Sequence, residues 1–121
     1  MKKTQIDSMK FRIAKGDHDK ALRAFAKILS YQRSHPALLA YTRSRSYFMD
    51  AEDNPDQEIW MFIDEYDDRK AYWESLQNAM KNDPTSAENY RAFMQLVVPG
   101  TVPKVHEVWT EIEELRVEFD R

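Results

Sequence analysis

The chain contains no cysteine and only two glycines in 121 residues. Without cysteine there are no disulfides, no thiolate nucleophile and no sulfur-ligated zinc, a composition that suits a reducing compartment. Average usage of about 7% would supply roughly eight glycines, so the shortage excludes a phosphate-cradling loop, a dinucleotide fingerprint and a glycine-hinged lid. No apolar run approaches the ~18 residues needed to cross a bilayer. The opening stretch MKKTQIDSMKFR also lacks the apolar segment of a secretion signal. A cytoplasmic, membrane-free protein is expected. Basic residues form no block, and 18 Lys and Arg stand against 21 Asp and Glu, which argues against a surface that tracks nucleic-acid phosphates.

What is present describes one domain over residues 1–121, since a chain of this length supports a single core. Met9, Phe11 and Ile13 alternate with Lys10, Arg12 and Ala14, predicting a strand over 5–14. Leu22, Phe25, Ala26 and Leu29 then share a helical stripe, predicting a helix over 18–34 that His35-Pro36 ends. Period two returns between Ala37 and Met49, with Tyr41, Arg43, Arg45 and Tyr47 on one face. The acidic stretch Asp50 to Asp56 is a turn. The strand EIWMFIDEY that follows carries apolar residues on both faces, Trp60 and Phe62 against Ile59, Met61 and Ile63. Behind Asp67 and Asp68, Tyr72, Leu76, Ala79 and Met80 mark a second helix. Asp83-Pro84 starts a third, which Pro99, Gly100 and Pro103 break. Residues 105–119 satisfy helical spacing as well, but their content of valine, threonine and aromatics favours a strand with one bulge near Glu113 and Glu114.

The order β-α-β-β-α-(α)-β is the ferredoxin-like split βαβ arrangement, an α+β fold whose four-stranded antiparallel sheet carries its helices on one face. A third strand apolar on both sides needs cover for the other face. A second copy supplies it most simply, giving a homodimer with a pocket either between each sheet and its own helices or inside the joint barrel.

This element order, the hairpin ending in IWMFIDEYDD and the helix RKAYWESLQNAMKNDP resemble the dimeric α+β barrel superfamily. Tyr66-Asp67-Asp68-Arg69, with a helix closing in Asp83-Pro84 and an aromatic-bearing helix beyond, is similar to the NIPSNAP family and to the antibiotic-biosynthesis-monooxygenase-like group. The resemblance covers most of residues 5 to 98. Haem-degrading members of the superfamily use an asparagine on the first strand and a histidine on the helix after the third. Here the first strand offers Lys10 and Arg12, and residues 69–81 hold no histidine, so haem binding is the least favoured implication.

Candidate chemistry is sparse. Asp50, Glu52 and Asn54 alternate as in a calcium loop, but Pro55 stands where the sharp turn needs glycine and Met61 where a bidentate glutamate belongs. His18, His35 and His106 lack metal-ligand spacing, and no metal or cofactor is expected. No nucleophile elbow surrounds any serine. Arg43 and Arg45 share a strand face with Tyr41 and Tyr47, so they are expected either to clamp an anionic ligand or to pair with Glu65, Glu111 or Glu113. The site expected from these residues has Arg43 and Arg45 holding an enolate or phenolate, His106 or Tyr66 moving the proton, and Tyr41, Tyr47 and Trp60 packing the rings. Two functional readings follow. The resemblance implies a cofactor-independent monooxygenase acting on a small aromatic or anionic molecule, and the alternative is a non-catalytic ligand-binding or interaction domain of the NIPSNAP type.

Overall fold

Alternation over the first segment builds β1 (Gln5–Ala14), and the 3.6-residue stripe behind it builds α1 (His18–Ser34). A computed structural model describes residues 4–101 and 107–121, and the chain continues through β2 (Arg43–Asp50), β3 (Gln57–Tyr66), α2 (Arg69–Asn82), α3 (Pro84–Met94) and β4 (Glu107–Thr110). The four strands form one antiparallel sheet in the order β2-β3-β1-β4. This is the split βαβ architecture that the sequence predicts.

Helix boundaries follow from capping. The Asp68 side chain accepts the Ala71 amide at 3.1 Å to start α2. Asp83 closes α2 and opens α3 at once, taking Thr85 N–H and the Ser86 hydroxyl, with Pro84 in the first turn where its missing N–H is harmless. The Tyr31 hydroxyl donates to the same carboxylate at 2.9 Å, which ties α1 to the α2–α3 junction.

The core lies between the sheet and its helices, with Phe11, Ile13, Ala21, Trp60, Phe93 and Val97 at its centre. Phe25 stacks on Phe62 at 4.1 Å, and Phe93 meets Phe11 edge-on. Register divides the strands into two faces. Asp7, Met9, Phe11 and Ile13 stand with Asp64, Phe62, Trp60 and Glu58 under the helices. On the outer face Ile59, Met61 and Ile63 stand beside Met49, Tyr47 and Arg45 on one flank and Arg12, Lys10 and Ser8 on the other.

Three boundaries differ from the alternation pattern. Strand β2 begins at Arg43 rather than Ala37, because Thr42 N–H already reaches Glu65 carbonyl and β3 ends one residue later. Residues 37–42 have no strand left to pair with. Helix α3 stops at Met94, since Val97 bridges to Ile13 and Val98 N–H bonds to Arg12 carbonyl. The last strand shrinks to Glu107–Thr110, which pairs with Gln5–Ser8 only. Past the Glu111 amide, bonded to Thr4 carbonyl, the segment leaves the edge of β1 and turns once at Glu113–Leu115.

The acidic hairpin loop is tied down by two cations. Arg12 grips Asp53 with two N–H···O contacts of 2.8 and 3.1 Å, and Lys15 lies 3.3 Å from Asp50. Because Phe93 is only 1% exposed and touches four other rings, Phe93→Ala is expected to lower unfolding free energy by about 3 to 5 kcal/mol. Urea denaturation followed by circular dichroism measures it.

Candidate functional site

The helix face of the sheet carries Glu58 at one end and two further carboxylates at the other, in a largely apolar layer. Asp7 and Asp64 are direct cross-strand partners near the β1 start and the β3 end. Tyr72, on the first turn of α2, donates to Asp64 at 2.6 Å, and Tyr66 donates to Asp7 at 3.1 Å. The two phenol rings stack at 4.5 Å and 10°. Burial, with the adjacent carboxylates adding to it, pushes the Tyr66 hydroxyl up to about 12 and raises that of Tyr72 further. Both phenols therefore stay protonated at neutral pH and act as donors.

Beside this pair the sheet and helices separate around a cavity of about 240 Å³. Phe25, Phe62, Trp73, Leu76 and Met80 make most of its wall, and Asp64 is its one charged lining residue among the described residues. Asn89 adds a polar group. It is 6% exposed and lines the cavity. An aromatic wall with a carboxylate and an amide among its lining residues suits a flat organic molecule bearing a hydroxyl.

The residues anticipated from sequence are divided between the two faces of the sheet. Arg43, Arg45 and Tyr47 lie on the outer face, opposite Glu65, Ile63 and Met61. Arg43 Nε sits 3.5 Å from Glu65, the pair the sequence offered as an alternative to ligand binding. Glu111 pairs with Arg116 instead. Trp60 and Tyr66 lie under the helices in the closed core rather than on the cavity wall, Tyr66 fully enclosed. Trp60 donates to Glu58 at 3.0 Å. Tyr41 precedes β2 and donates to Gln32 at 2.6 Å. His106 falls outside the described residues. The anticipated anion clamp and the cavity are thus on opposite sides of one sheet.

Sequence reading missed Asp64 and Asn89, and it took Tyr72 as packing alone. The available signal was Asp64 itself, an acid on the Trp60-Phe62 side of a strand that the pattern marks as buried. His18 meets the buried Glu58 carboxylate at 2.7 Å and packs edge-on against Phe48 and Trp60. No group of three potential metal ligands is assembled among the described residues, nor is any helix there long and apolar enough to cross a membrane.

No protein-family model matches the chain, and no curated protein matches it in sequence. Solved structures do match its fold. A candidate antibiotic biosynthesis monooxygenase from Chloroflexus aurantiacus superposes with a TM-score of 0.52 at 17% identity, covering 90% of this chain and 93% of its own. SnoaB, a cofactor-independent oxygenase from Streptomyces nogalater, gives 0.54 at 13% identity over 89% and 93%. A NIPSNAP family protein from Agrobacterium tumefaciens gives 0.55 at 14% identity over 92% and 86%. The chain shares its ferredoxin-like fold with these proteins, as its resemblance implied. At such identities the likeness is one of fold.

The tyrosine pair carries a signed pH dependence. A folded-state value near 12 against an ordinary 10 for Tyr66 leaves its contribution intact below pH 10, and that contribution is lost as pH rises toward 12. Denaturation midpoints measured across that window should fall for the parent, and they should fall less steeply for Tyr66→Phe.

Proposed function

We propose that the protein is a homodimer that binds a small, flat, electron-rich phenol in the cavity between its sheet and its own helices, and oxygenates it without a cofactor. The observation carrying this reading is the Asp64-Tyr72 pair set in an aromatic cavity. Asp64 accepts the ligand's hydroxyl proton, while the Tyr72 hydroxyl, fixed at 2.6 Å, steadies the carboxylate. Tyr66 stacks behind Tyr72 and positions it. Asn89 donates to an oxygen of the ligand, where charge accumulates as the phenolate forms. The aromatic wall excludes water.

The substrate anion supplies the electrons. In the reaction this arrangement suits, the phenol becomes a quinone: one ring C–H becomes a carbonyl with one atom of dioxygen, and the other atom leaves as water with that ring hydrogen and the hydroxyl hydrogen. The likeness of fold to SnoaB, a cofactor-independent oxygenase, supports this class.

The dimer reading rests on uncovered apolar surface. Trp109, Tyr47 and Met49 on the outer sheet face are 48 to 58% exposed, and the closing segment leaves Ile112, Leu115, Val117 and Phe119 at 60 to 74%. Surface of this extent in one subunit marks a contact region. A second copy meeting the outer face buries it and leaves the cavity side free.

Calorimetric titration with 2-naphthol tests the cavity. Saturable binding with one site per chain is expected, Leu76→Trp should abolish it by filling the space, and Asp64→Asn should weaken it about tenfold. Oxygen uptake with a quinol substrate should fall roughly 10²-fold in Asp64→Asn. Absence of saturable binding by the folded parent contradicts the reading.

A further inference from the structure

A second depression adjoins the cavity. It is a cleft of about 360 Å³ between the end of α1 and the start of β2, lined by Arg33, His35 and Pro36 on one side and Tyr41 to Ser44 on the other. Leu29, Gln32 and Ser44 line both spaces, so the two share a wall. The Tyr41-Gln32 hydrogen bond of 2.6 Å lies along that wall.

Charge separates the compartments. The cavity has Asp64 as its charged lining residue, whereas the cleft is lined by two arginines and a histidine with no acid among its described lining. Arg33 makes no ion pair with another described residue. Arg43 engages Glu65 through Nε, and its terminal nitrogens make no hydrogen bond to a described acceptor. Tyr41 sits between the fields, its hydroxyl raised by burial and by Asp64 and lowered by Arg33. Two arginines lining one opening that has no acid among its described lining favour a carboxylate, which a guanidinium engages in bidentate fashion.

The geometry points to a two-compartment site for an aromatic hydroxy acid, with the ring and hydroxyl in the inner cavity and the carboxylate in the outer cleft at Arg33 and Arg43. This rests on the cavity reading above and adds the substrate's second functional group. The wall of Tyr41 and Gln32 is the part the ligand crosses, and the Tyr41 hydroxyl exchanges its Gln32 acceptor for the entering carboxylate. Such an assignment returns Arg43 and Tyr41 to ligand recognition, at the mouth rather than at the reacting atoms. It also sets orientation: the acid end faces out, and the hydroxyl end faces Asp64.

Titration of the full chain with 2-naphthol and with 6-hydroxy-2-naphthoate tests it. The acid should bind about tenfold more tightly than the naphthol, the advantage of one charge-assisted contact. In Arg33→Gln/Arg43→Gln the ratio of the two affinities should collapse toward one, with an unaltered denaturation midpoint showing that the fold persists. Rising salt should narrow the parent's ratio. If the naphthol binds but the acid gains nothing, or if the gain survives the double substitution, the outer compartment is refuted and the cavity reading stands. If the folded parent binds neither, both fall together.

Discussion

The structure depends on a sheet whose two faces are treated differently. Three helices lie on one face, and no helix among the described residues covers the other, although β3 carries apolar side chains to both. Antiparallel sheets tolerate a wet face when that face is polar. Here Ile59, Met61 and Ile63 run along its middle, next to Tyr47 and Met49. The covered face holds the cavity, while the other face leaves apolar side chains such as Tyr47 and Met49 exposed.

The covered face also solves an electrostatic problem. Asp7 and Asp64 are neighbours in register within a low-polarity layer, where charge is disfavoured unless hydrogen bonded. Stacked Tyr66 and Tyr72 each direct a hydroxyl to one of these acids. Burial that holds these phenols protonated secures the carboxylates as acceptors, and an acceptor on the wall of an aromatic cavity is what a phenolic ligand requires. Arg43 and Arg45 have no access to this point from the opposite face. In the proposed reaction an anion formed inside is managed by donors such as Asn89 and by exclusion of water, and a cationic clamp acts only at the rim.

Much of the architecture was legible because the determining forces are local. Alternation at Met9, Phe11 and Ile13, caps at Asp68 and Asp83, and Pro36 after α1 each act within a few residues, and the elements they define match those observed. Where pairing decides, the pattern misled. Ala37 to Thr42 alternates like a strand but has no partner once β3 ends, and the closing segment alternates past the point where β1 can receive it. The site was less legible still. Arg43 and Tyr47 were correctly placed on one face, but nothing local says which face carries the helices, so residues of both sides were joined into one site. Asp64 becomes meaningful only when Tyr72, eight residues on, folds back over it.

The proposed dimer rests on the apolar side chains of the sheet's outer face. Sedimentation equilibrium of the full chain at micromolar concentration addresses that claim most directly. A single species at twice the 14.4 kDa of the chain, dissociating only on unfolding, is the predicted result. A folded species that stays at 14.4 kDa across the concentration range, with its outer face in water, would contradict it.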